Sequence, residues 1–195
     1  MRYKMTAALI AAGALAAGLG APTTAHATSW IPAPCDFVTG GGFVNKDNDH
    51  MANFGIHAGC KNGKLWGHVN YVDHETQYHL RSTRITAYLQ NSDMPNSRDI
   101  CGFARINDQA QEVMFRIRVV DNGEPGRTDT FGIHVDNQHH TTGPRFYRVS
   151  SRMLNDGEKG GGNIQLHKGN RSNTIDPAYY ELREWQMCGD LWPSP

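Results

Sequence analysis

The stretch from Val113 to Val135 constrains the fold more than any other part of this 195-residue chain. Val113, Phe115, Ile117 and Val119 alternate with Met114, Arg116 and Arg118, a period of two that sets one face on a core and leaves the other wet. A turn follows, Asp121-Asn122-Gly123-Glu124-Pro125-Gly126-Arg127-Thr128-Asp129, and the alternation resumes at Phe131, Ile133 and Val135. Asp-Asn-Gly and Pro-Gly supply the backbone conformations a tight reversal needs. The segment predicts an antiparallel hairpin.

The same period recurs along the chain. Phe37 to Val44 reads as a strand interrupted by Gly40-Gly41-Gly42, where the backbone bends or approaches a neighbour closely. Phe54, Ile56 and Ala58 alternate with Gly55 and His57. From Lys64 to Val72, Leu65, Val69 and Tyr71 share one face and Trp66, His68 and Asn70 the other. Leu80–Leu89, Cys101–Ile106, the Tyr147/Val149 pair and Gly162–His167 complete the series. About nine short strands separated by turns, with no sustained helical period, predict an all-β domain. The architecture is an antiparallel sandwich or a partly closed barrel, which alternation alone does not separate.

Both ends differ from this pattern. Arg2 and Lys4 precede an apolar run from Ala7 to Ala21, which closes on the small-x-small triplet Ala25-His26-Ala27. That combination predicts a signal peptide over residues 1–27, too short and too near Pro22 for a membrane span. Export to the periplasm, the cell surface or the medium follows, with the all-β domain over 28–169. The tail 170–195 carries Tyr179, Tyr180, Leu182, Trp185 and Met187 and reads as a strap or short helix anchored by Cys188. Without the leader, 17 basic residues face 19 acidic ones. Such a balance offers nothing to nucleic acid or to an anionic membrane surface.

Cys35, Cys60, Cys101 and Cys188 are an even set in an exported chain, which implies two disulfides with three possible connectivities. The preferred pairing is Cys35 with Cys188 and Cys60 with Cys101. The first closes a loop of about 150 residues, contributing roughly 4–5 kcal/mol in the chain-entropy description.

Four chemistries compete for the polar residues. Asp121, Glu124 and Asp129 are hard oxygen ligands of the kind calcium takes, although the spacing matches neither an EF-hand nor a repeat-type calcium loop. As a bare turn, the same segment needs only Arg127 to offset one acid. Ten histidines, densest at Asp73-His74-Glu75 and His139-His140, offer imidazole to a transition metal, but no His-Glu-x-x-His spacing occurs. A Gly-x-Ser-x-Gly elbow is absent, the cysteines are taken up in disulfides, and Ser82, Ser150 and Ser151 have no distinguishing context, so no catalytic residue is assigned. Aromatics on a wet sheet face stack on sugar rings or anchor a protein partner. Trp66, Tyr71, Asp73 and His74 form the candidate contact set, with Tyr78 and Tyr88 on neighbouring strands.

Several segments together resemble a bacterial extracellular module, the post-COAP-1 domain. They are Cys35-Asp36-Phe37-Val38-Thr39-Gly40-Gly41-Gly42-Phe43-Val44, Asn53-Phe54-Gly55, Leu65 to His74, Val120 to Arg127, Asp129-Thr130-Phe131 and Gly161 to Lys168. The resemblance implies an exported protein, in some relatives attached behind adhesive repeats, and it implies no activity. Cys60 and Cys101 look like additions to the pattern, which favours pairing them. Asp136–Pro144 is a longer loop than the pattern has, and Cys188 lies about twenty residues beyond the position where the resemblance places a closing cysteine. The expectation is an exported non-catalytic binding or matrix module stabilised by calcium. The alternatives are a metal-dependent extracellular hydrolase using a His/carboxylate cluster, and a structural secreted protein whose ion serves stability alone.

Overall fold

The computed structural model describes residues 29–45, 51–137, 145–154, 161–189 and 191. The leader 1–27 and the His139-His140 pair lie outside them.

Every period-two segment forms a strand. In chain order these are β1 (Ser29–Trp30), β2 (Phe37–Asn45), β3 (Met51–Lys61), β4 (Lys64–Asp73), β5 (Tyr78–Asn91), β6 (Ser97–Ile106), β7 (Glu112–Val120), β8 (Thr130–Asp136), β9 (Phe146–Met153) and β10 (Gly161–His167). Nine of them form one antiparallel sheet in the order β10-β2-β3-β4-β5-β6-β7-β8-β9, and β1 pairs with the end of β5. From β2 to β9 each strand simply turns back on its predecessor. Of the nine strands on this path, β10 crosses over, returning to the opposite edge beside β2.

The sheet curls into a half-barrel rather than splitting into a sandwich. Register shifts at Ser82/Arg84 and Ile85/Ala87 on β5, and at Phe131/Ile133 on β8, add the local bend and twist that curling needs. Inner-face side chains of distant strands then meet: Phe54 of β3 stacks on Phe131 of β8 at 4.1 Å, and Tyr71 of β4 meets Tyr147 of β9 edge-on at 5.8 Å. Val38, Val69, Ile100, Phe115, Ile117, Ile133 and Ile164 fill the same interior. Each such side chain, fully buried, contributes about 1.5–3 kcal/mol.

Closure does not come from strand pairing, because β9 and β10 are the two edges of the sheet. It comes from the hairpin between β7 and β8. Asp129, 0% exposed, accepts the Ile164 amide at 2.7 Å through Oδ2, and Asp121 accepts the Leu166 amide at 2.8 Å. Two carboxylates thus stand where an eleventh strand would offer carbonyls to the edge of β10. Gly126, at φ +77°, permits the approach, since a Cβ there would lie 2.1 Å from Asn163 Oδ1. Gly42, inside the triplet on β2, lets β10 come close in the same way, with Gly161 O 2.2 Å from where its Cβ would sit.

The disulfides differ from the preferred pairing: Cys35 bonds Cys60, and Cys101 bonds Cys188. Register explains why. Phe37 lies opposite Gly59, which brings Cys35 beside Cys60, whereas β3 and β6 stand three strands apart, about 14 Å at ordinary strand spacing. That is beyond the reach of a disulfide. The tail is tied to β6 by the Cys101–Cys188 bridge. It hydrogen-bonds the β3–β4 turn through Asn62 and Gly63, forms a 3-10 turn over Pro177–Glu181, and ends in α1 (Glu184–Cys188). Beneath α1 lies Arg116, 1% exposed, bonded to Asp99 at 2.5 Å and Glu184 at 2.6 Å. Arg118 holds the other side of Asp99 at 2.7 Å. Burial opposes ionisation of Asp99, but the hydrogen bonds and charges of Arg118 and Arg116 keep its carboxyl below the usual range.

Candidate functional site

The outer face of β2, β3 and β4 gathers the chemistry. Register places Thr39, His57 and His68 in one row across the three strands, and Phe37, Gly59 and Trp66 in the next. Trp66 is 41% exposed, with the His57 ring 4.8 Å from its own and Lys61 Nζ 5.1 Å from its centroid. Phe37 stacks on His167 of β10 at 4.4 Å, and His167 Nε2 lies 2.7 Å from Thr39 Oγ1. Burial, and then the charge of His68, lower the His57 pKa, which favours a neutral imidazole.

At the rim of this face a cleft of about 160 Å³ is lined by Phe37, Cys60, Lys61, Trp66, Asn170, Ser172 and Asn173. Its far wall is the turn after β10. Asn170 Oδ1 accepts the Ser172 amide and hydroxyl, and Ser172 O accepts the Asn62 amide, so the wall is tied to itself and to the β3–β4 turn. The Cys35–Cys60 bridge fastens the base. Two aromatic rings, one ammonium and three amide or hydroxyl side chains therefore converge on a space below the roughly 300–1,000 Å³ of drug-sized pockets. The cleft suits a single ring-sized polar group.

The contact set read from the sequence is divided by the fold. Trp66 lies on the exposed outer face. Tyr71 and Asp73 are 0% exposed and belong to the interior, which corrects their assignment as surface contacts. Tyr71 follows Val69 in phase, so its side chain enters the barrel, where its hydroxyl lies 2.7 Å from that of Tyr147. Tyr147 in turn donates to Asp73 Oδ2 at 2.8 Å, while Asp73 Oδ1 accepts the Glu75 and Thr76 amides of the β4–β5 turn. Burial, Tyr71 and Asp73 push the Tyr147 hydroxyl far above its ordinary value, so it remains a neutral donor. Tyr88 is buried as well, donating to Asp36 at 2.6 Å, and Tyr78 stacks on Tyr147 at 4.3 Å. His74 is exposed, with Nε2 2.6 Å from Asn53 Oδ1.

The hairpin acids also meet donors. Besides the β10 amides, Asp129 Oδ1 accepts Asn122 N at 2.8 Å and Asp121 Oδ1 accepts Gly123 N at 2.9 Å. Both oxygens of Glu124 face Asn163 Nδ2, at 3.1 and 3.2 Å. Among the described residues no group of three or more His, Cys, Asp or Glu side chains is arranged around a common ion position.

Sequence reasoning missed two parts of the site. Asn170–Asn173 entered the sequence reading only as the start of the tail. Ser82, without a motif, lies 3.2 Å from His68 Nδ1 and accepts the Val69 amide at 2.8 Å. A serine–histidine contact of that kind resembles half of a nucleophilic dyad, but among the described residues no carboxylate bonds the other side of His68. No protein-family model, curated protein or solved structure matches the chain.

Proposed function

We propose that this is an exported, non-catalytic binding module whose ligand is an extracellular polysaccharide, one sugar ring of which is held in the cleft beside Trp66. The observation that carries the reading is the pairing of an exposed indole with Lys61, Asn170, Ser172 and Asn173 around a ring-sized cleft. An indole offers the apolar face of a pyranose a stacking surface, and amide and hydroxyl side chains match its hydroxyls. Lys61 favours an acidic sugar over a neutral one. The two disulfides suit an oxidising compartment, and among the described residues no helix is long and apolar enough to cross a membrane. The likeness to post-COAP-1 modules supports the same setting.

The hydrolase alternative draws its acids from Asp73 and Asp121, which are bonded to Tyr147 and to Leu166 on separate elements. The deciding experiment titrates the oxidised protein with neutral and uronate-containing oligosaccharides by calorimetry. Binding that weakens at least tenfold in Trp66→Ala, with the melting temperature unchanged, is the expected result. Equal binding by wild type and Trp66→Ala, or no binding to any glycan, overturns the reading.

A further inference from the structure

The histidines of the outer sheet face are not equivalent. His79 Nε2 lies 2.7 Å from Asn70 Oδ1, His74 Nε2 lies 2.6 Å from Asn53 Oδ1, and His167 Nε2 lies 2.7 Å from Thr39 Oγ1. His57 has no hydrogen-bond partner among the described residues, and it sits directly opposite His68 in the β3–β4 ladder. Residues opposite one another in an antiparallel pair have Cβ atoms about 4.5–5.5 Å apart, held by two rigid backbones. We propose that His57 and His68 form a two-imidazole site for a borderline divalent transition metal, copper(II) in preference to zinc(II).

The geometry is within reach. With metal–nitrogen bonds of about 2.0–2.1 Å, each ring centroid stands about 3.2 Å from the ion, so two tetrahedrally disposed imidazoles have centroids about 5.2 Å apart and opposed ones about 6.4 Å. The observed separation of 6.1 Å, with the rings inclined at 39°, falls between those limits. Small side-chain rotations within the rotamer wells bring the two rings into a bent arrangement. Ser82 supplies the outer support that ligating histidines ordinarily have. With its proton on Nδ1, His68 donates to Ser82 Oγ at 3.2 Å, and the Nε2 lone pair is then free to bind metal. Among the described residues no Asp, Glu or Cys joins the pair, so water would complete the coordination. Imidazole pairs of this kind follow the general affinity order in which copper(II) exceeds zinc(II).

Trp66 reports on the site, its ring 4.8 Å from that of His57. Copper(II) quenches indole emission at such range, so titrating the secreted, oxidised protein with copper(II) in a non-coordinating sulfonate buffer gives a direct readout, with nitrogen hyperfine structure in the electron paramagnetic resonance spectrum counting the ligands. The expected result is quenching that saturates at one equivalent, with two nitrogen ligands. His57→Ala and His68→Ala each weaken the midpoint at least tenfold, while a His139→Ala/His140→Ala double variant retains it. Trp66→Phe loses most of the quench but keeps metal uptake, which separates this site from glycan binding in the cleft. His68→Asn replaces His68→Ala if the latter melts early. A wild-type midpoint in the folded His57→Ala or His68→Asn variant, or no quench in the wild type, overturns the proposal.

Discussion

Asp129→Ala tests the carboxylate latch that closes the half-barrel. The side chain is 0% exposed and accepts two amides, Asn122 N at 2.8 Å and Ile164 N at 2.7 Å. Truncation leaves the Ile164 amide buried without a partner, at about 1–3 kcal/mol, and takes the partner from the more exposed Asn122 amide at less than that, up to about 4 kcal/mol together. For a domain of this size that lowers the melting temperature by roughly 8–16 °C. Asp129→Asn keeps one carbonyl oxygen but turns an NH2 towards the second amide, so roughly half the loss is expected. Glu124→Gln, exposed on the same hairpin, changes stability by less than about 0.5 kcal/mol. Thermal and urea melts measure these differences, and hydrogen exchange reads the Ile164 amide directly, which loses protection ahead of the β6–β7 core. All of this is expected without calcium. Unchanged stability in Asp129→Ala refutes the reasoning, as does a loss that appears only with calcium and vanishes with chelator, which would make the hairpin a cation site.

Further outcomes follow from the other buried polar groups and the bridges. Asp99 ionises more readily in the folded protein than in the unfolded chain, so its contribution is complete above the ordinary carboxylate pKa of about 3.9 and is lost as pH falls through the lower folded value. Urea midpoints from pH 6 to pH 2 should fall steeply below about pH 4, and less steeply in Arg118→Ala, where one of the two guanidinium partners is gone. An unchanged slope counts against Asp99 as a source of acid sensitivity. Peptide mapping without reduction should yield Cys35–Cys60 and Cys101–Cys188 fragments. Replacing both Cys101 and Cys188 by Ala opens a loop of 87 residues and costs about 4–5 kcal/mol in urea melts. Tyr147→Phe removes the donor to Asp73 Oδ2 and lowers stability by about 1–3 kcal/mol, while a wild-type melt would show that the bond contributes nothing net.

Local patterning carried the strands and the hairpin. Alternation at Val113–Val119 and at Leu65–Tyr71 set which side chains enter the barrel, because successive Cβ atoms on a strand point to opposite faces whatever the neighbours are. The same phase separates Trp66 from Tyr71, although both are aromatics on one strand. What depends on strand order was not local. The return of β10 beside β2, over 100 residues earlier in the chain, decided that Asp121 and Asp129 meet backbone amides. Register between β2 and β3 decided that Cys35 bonds Cys60, and register between β3 and β4 set His57 against His68. The strap brought Asn170, Ser172 and Asn173 to Trp66 and carried Cys188 to Cys101. By itself, then, the sequence determined the all-β class, the strand phases and the pair count of the cysteines, all of which follow from nearest-neighbour stereochemistry. Only the tertiary structure decided the half-barrel, the disulfide partners and the composition of the cleft, because each depends on which distant strands the curled sheet brings together.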